Sequence, residues 1–98
     1  MSHELIVRPE AEAELAEAFD WYEQRLTGLG SEFLFSVEVA FRSLRRNPYQ
    51  YPVLYRDLHR VLLHRFPYQV LFNIEVRRIF VLAVFHAKRD PKHWRERS

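Results

Sequence analysis

Residues 10–46 read EAEAELAEAFDWYEQRLTGLGSEFLFSVEVAFRSLRR, and the fold turns on this stretch. From Glu10 to Leu26 the apolar residues Ala11, Leu15, Ala18, Phe19, Tyr22 and Leu26 recur at intervals of three and four, so they share one face of an amphipathic helix. Pro9 suits its first turn, where a missing N–H costs nothing, and Glu10, Glu12 and Glu14 complement the positive end of the helix dipole. Thr27-Gly28-Leu29-Gly30 stops the helix, with Gly28 suited to the left-handed position past its end. The spacing predicts a second helix from about Ser31 to Arg46, its inner face made of Phe33, Val37, Ala40, Phe41 and Leu44. A link this short implies an antiparallel helical hairpin.

Outward from the hairpin, the patterning changes. Leu5-Ile6-Val7 is a short β-branched run ended by Arg8-Pro9. Asn47-Pro48 closes the helical region, and Pro48 and Pro52 bracket a loop carrying Tyr49 and Tyr51. Leu58–His64 then alternates, with Val61 and Leu63 on one side and Arg60, Leu62 and His64 on the other. In the next run Tyr68, Val70, Phe72 and Ile74 share one face, and Gln69, Leu71, Asn73 and Glu75 the other. Arg77-Arg78 separates this run from Ile79–Phe85, which is apolar on both faces and reads as a central strand. Residues 87–98, AKRDPKHWRERS, form a basic tail in which Asp90-Pro91 suits a helical turn docking Trp94. The order β-α-α-β-β-β leaves the hairpin only the sheet to bury its apolar face against. The expectation is one two-layer α+β domain over residues 1–98, with a small, mostly antiparallel sheet.

Composition narrows the function. With 98 residues and 48% hydrophobic content the chain can fold alone, and the lack of cysteine excludes a disulfide framework and thiol catalysis. The longest apolar run, Ile79–Phe85, is far short of the ~20 residues that span a bilayer, and the N-terminus lacks signal-peptide character. A soluble, cytoplasmic protein without a membrane partner is expected. The net charge of +2 hides an uneven division: residues 1–41 carry nine acids against two arginines, whereas residues 42–98 carry thirteen cations against four acids. That asymmetry points to a basic surface meeting an anionic partner; the competing reading is that the two halves neutralise each other across the fold.

The candidate chemistry is correspondingly basic. His59 and His64, five apart on a strand, fall on opposite faces, and no HExxH or ligand cluster is present, so no metal is expected. Gly28 and Gly30 are the only glycines, which excludes a phosphate-cradling loop, and no serine lies in a nucleophile-elbow context. No cofactor is expected. Arg60, Arg65 and His86 remain as residues able to serve RNA cleavage, the imidazole as acid or base and the guanidinium groups for phosphorane charge. Equally consistent is a solvated arginine-rich face with His86 hydrogen-bonded at a strand end.

The chain resembles the RelE/ParE superfamily of bacterial toxins, most of all its ParE-like, plasmid-stabilisation branch. The resemblance runs through Arg8-Pro9-Glu10-Ala11, Glu14-Leu15, Asp20-Trp21-Tyr22-Glu23, Gly28-Leu29-Gly30 with Phe33, Asn47-Pro48, Tyr51-Pro52, Arg65-Phe66-Pro67-Tyr68, His86, Arg89-Asp90-Pro91 and Trp94. It implies the toxin of a type II toxin–antitoxin system, neutralised by a cognate antitoxin and reaching operator DNA only through that antitoxin. ParE-like toxins are associated with poisoning DNA gyrase, and RelE-like relatives with cutting messenger RNA on the ribosome. Arg65 and His86 match the ribonuclease branch in kind, but Ala87 stands where some of those relatives place a tyrosine, and the sheet carries no lysine. The resemblance therefore implies gyrase inhibition, with ribosome-dependent RNA cleavage through Arg60, Arg65 and His86 as the alternative. The tail residues Lys88, Arg89, Lys92, His93, Trp94, Arg95 and Arg97 are the expected target-binding group. Leu15, Phe19, Tyr22, Arg56, Arg60 and Arg65 are the expected antitoxin-binding group.

Overall fold

Helix formation begins at Pro9, whose ring fixes the backbone angle that a first turn needs, and Glu10 and Glu12 sit beside the positive end of the dipole. In the computed structural model, which describes residues 2–88, this helix, α1, spans Pro9–Arg25. Leu26 leaves the helix in an extended conformation, and Gly28, at φ 92°, reverses the chain into α2, Leu29–Arg46. The second helix starts two residues before the periodicity alone suggests. Its free first-turn N–H groups are met by α1, because the Glu23 carboxylate accepts from the amides of Gly28 (2.9 Å) and Gly30 (3.0 Å). Gly30 is also the point of closest approach: a Cβ there would lie 2.8 Å from the ring and the carbonyl oxygen of Phe19.

The sheet has five strands: β1 (Glu4–Val7), β2 (Val53–Tyr55), β3 (Leu58–Leu62), β4 (Tyr68–Glu75) and β5 (Arg78–His86). They lie in the order β1-β5-β4-β3-β2, with β1 parallel to β5 and every other pair antiparallel. The two-layer α+β arrangement and the interior position of the doubly apolar β5 follow the sequence reading. β2 is an addition to it. Three residues are too few to show alternation, and this strand exists through its pairing with β3, Val53 opposite His59 and Tyr55 opposite Leu58. The β4–β5 turn is Val76-Arg77 rather than Arg77-Arg78, since Glu75 pairs with Arg78.

The helices cover one face of the sheet. Phe33, Val37, Phe41 and Leu44 of α2 and Ala11 and Ala18 of α1 meet Val70, Phe72, Ile79, Val81 and Val84 in the main core. Alternation sends Leu58, Leu71, Ala83 and Phe85 to the other face, where they form a second buried cluster with Leu54, Tyr55 and Leu82.

Candidate functional site

The site follows from a mismatch in strand length. β1 pairs only with Arg78–Val81, whereas β5 continues to His86, so the last half of β5 lacks a strand neighbour on that side. Arg8 N–H donates to the Val81 carbonyl as the last rung (3.0 Å). Beyond it α1 takes over: the Val84 amide donates to the Glu14 carboxylate at 2.9 Å, which satisfies a strand group that would otherwise be orphaned. Between α1 and the end of β5 lies a groove of ≈ 710 Å³ whose lining includes Glu14, Glu17, Asp20, Trp21, Tyr68 and His86.

His86 closes one end of this groove. Its ring meets Tyr68 at 5.6 Å in edge contact, and its Nδ1 accepts from the Lys88 amide at 3.2 Å, so the neutral imidazole carries its proton on Nε2. Tyr22 lies deeper, buried against Phe33, Phe66 and Tyr68 with ring separations of 5.3, 5.0 and 6.0 Å. Burial pushes the Tyr22 hydroxyl above its ordinary range, and neighbouring Tyr68 adds to the effect.

The three residues considered for RNA cleavage are not brought together. Cross-strand partners share a face, so Arg60, opposite Leu71, lies on the face away from the helices, and His86, opposite Tyr68, lies on the helix side. Arg65 stands on the β3–β4 loop in a left-handed conformation (φ 79°) and pairs with Glu32 of α2 at 2.8 Å. Strand register and the β3–β4 loop therefore keep Arg60, Arg65 and His86 apart.

The apolar members of the expected antitoxin-binding group lie in or against the core. Tyr22 is core, Leu15 packs against the core, and Phe19 is half-buried beneath Gly30. The large apolar side chains that the hairpin does expose are Trp21 on α1, Leu26 just past its end, and Leu34, Phe35 and Val39 on α2. Phe35 and Val39 are one turn apart and off the inner face, a signal present in the sequence but masked by the stronger inner stripe. Arg25 covers Trp21, its guanidinium 3.9 Å from the ring. Arg56 is exposed at the β2–β3 turn, its guanidinium 5.1 Å over Tyr55. Arg56 and Arg60 have no carboxylate within ion-pair distance among the described residues. Arg78 pairs with Glu4 at 3.2 Å, so the charged halves meet at β1 and, through Arg65 and Glu32, at α2.

Lys88 is exposed just past β5. Arg89, Lys92, His93, Trp94, Arg95 and Arg97, and with them the Asp90-Pro91 turn, lie outside the described residues. His59 is held on the helix side, Nδ1 2.9 Å from the Tyr51 carbonyl and the ring stacked on Phe72. Among the described residues no three His, Asp or Glu side chains are grouped as metal ligands, and no helix is long and apolar enough to cross a membrane.

The family model of the ParE toxin of the type II toxin–antitoxin system parDE matches residues 5–91. The chain belongs to the ParE toxin family. The fold is shared with a chain of the chromosomal ParDE toxin–antitoxin system from P. aeruginosa (TM-score 0.77, 17% identity, covering 87% of this chain and 96% of that one). A chain of the toxin–antitoxin complex RelBE2 from Mycobacterium tuberculosis is also similar (TM-score 0.61, 21% identity, covering 88% and 99%). No curated protein matches the sequence significantly. As a ParE-family member the chain is the toxin of a type II toxin–antitoxin system.

Proposed function

We propose that this ParE-family toxin acts in the cytoplasm by inhibiting DNA gyrase and is neutralised by a cognate antitoxin. The observation that carries the target assignment is the separation of Arg60, Arg65 and His86. RNA cleavage needs base, acid and charge stabiliser around one phosphate, and these groups occupy two sheet faces and a loop. An apolar cluster of Leu58, Leu71, Ala83 and Phe85 surrounds the position of Arg60 instead.

Neutralisation is supported by the outer face of the hairpin. Phe35 is 64% exposed and Val39 47%, large values for apolar side chains. An acidic, amphipathic antitoxin segment that folds onto them buries apolar area, and a further acidic stretch reaching the other face of the sheet meets Arg56 and Arg60, which have no carboxylate within ion-pair distance among the described residues.

Purified gyrase tests the target. The full chain is expected to block supercoiling and accumulate cleaved DNA, whereas a chain lacking residues 88–98 is expected to do neither. His86→Ala is expected to poison gyrase as well as the parent. Unimpaired supercoiling, accompanied by transcript cutting on ribosomes that His86→Ala abolishes, refutes the assignment in favour of the ribonuclease.

A further inference from the structure

The N-terminal strand does more than pair with β5. His3 N–H donates to the Arg45 carbonyl in the last turn of α2, and Glu4 N–H donates to the Arg77 carbonyl in the β4–β5 turn, each at 2.9 Å. Two consecutive amides thus bring together two arginine pairs from distant parts of the sequence, Arg45-Arg46 and Arg77-Arg78. Ser2 lies between them and borders two adjoining recesses, one lined by Arg42, Arg45 and Arg46 (≈ 390 Å³) and one that includes Arg77 and Arg78 (≈ 520 Å³). Arg78 is engaged by Glu4. Arg42, Arg45 and Arg46 have no carboxylate within ion-pair distance among the described residues.

We propose that this stripe, with Arg42, Arg45 and Arg46 at its centre, binds the phosphate backbone of double-stranded DNA. Three guanidinium groups carry three positive charges into a recess lined by no carboxylate; the negative end of α2 offsets about half a charge, and Glu4 and Glu75 lie in the adjoining recess with Arg77 and Arg78. Guanidinium forks match phosphate oxygens in pairs, and a row just over one helical turn long, with a rise of about 6 Å, is scaled to neighbouring phosphates rather than to a single ion. The stripe sits at the Arg78 end of β5, about 26 Å from the His86 end of that strand. It gives this chain a direct DNA contact, beyond the expectation that operator DNA is reached only through an antitoxin.

Fluorescence anisotropy of the purified full-length chain with a labelled 20-base-pair duplex of random sequence, titrated across ~50–300 mM salt, tests the proposal. If the three arginines each neutralise one phosphate, they contribute about −2.7 to the slope of log affinity against log salt. Arg42→Gln/Arg46→Gln is expected to flatten the slope by about 1.8 and weaken binding more than tenfold at 100 mM salt, whereas Arg42→Lys/Arg46→Lys keeps most of the slope. Circular dichroism melting of each variant confirms its fold. A chain with Lys92, Arg95 and Arg97 changed to Gln separates the tail's contribution and is expected to retain the arginine-dependent part of the slope. An unchanged affinity and slope in the Gln variant overturns the proposal. So does displacement of the duplex by poly-glutamate at equal charge concentration, which would mark the stripe as a site for an acidic protein.

Discussion

Replacing Gly30 with alanine sets two effects against each other. Alanine is the better helix former by about 1 kcal/mol in a helix interior, and by less at the second position of α2. Against this, the new methyl would lie 2.8 Å from Cδ2, Cε2 and the carbonyl oxygen of Phe19, where carbon contacts prefer about 3.5–4.0 Å. The ring can swing aside, but the carbonyl belongs to the backbone of α1, so the helices must separate by about half an ångström or more at their crossing. Separation loosens the Tyr22–Phe33 stacking next to it. Overpacking of this kind costs about 1–3 kcal/mol, so the net loss is about 1–2 kcal/mol, or a fall in Tm of roughly 4–15 °C for a domain of this size. Urea and thermal denaturation followed by circular dichroism measure it. In a double-mutant cycle with Phe19→Ala the methyl gains room from the missing ring but not from the carbonyl, so a partial rescue of at least about 0.5 kcal/mol is expected. A Gly30→Ala chain that melts at or above the parent temperature would refute the close-approach reasoning.

Three further outcomes are expected. Glu14→Ala leaves the Val84 amide without its acceptor and is expected to cost about 1–3 kcal/mol by urea denaturation, whereas Glu14→Gln keeps an oxygen there and costs less; equal losses would argue against the capping role. Val76, 90% exposed at φ 57°, is a β-branched residue in a conformation that favours asparagine or glycine, so Val76→Asn is expected to raise stability by about 1 kcal/mol without any loss of packing, read as a higher Tm. The Tyr22 hydroxyl titrates higher in the folded chain than in the unfolded one, so its contribution is complete below about pH 10 and declines as pH rises beyond it, when the unfolded chain ionises first. Tyr22→Phe should therefore flatten the alkaline fall in stability; an identical alkaline profile would contradict this.

The sequence alone settled the elements whose periodicity is long. Two helices of seventeen and eighteen residues repeat their apolar stripe several times, and β4 and β5 alternate, or are apolar throughout, over eight and nine residues. Repetition averages out the local exceptions, and the α+β class with its hairpin followed. The role of Gly28 at the reversal was equally plain, since a left-handed turn is what glycine permits and other residues resist. Tertiary structure decided everything that depends on partners. β2 exists through β3, the early start of α2 through Glu23, and the groove through β5 outrunning β1, none of which is written in any one segment. The arginines show the difference most clearly. Their number gave the chain its basic half, but charge along a sequence carries no direction. Strand register placed Arg60 and His86 on opposite faces, and two neighbouring amides of the N-terminal strand drew Arg45 and Arg77 together across more than thirty intervening residues.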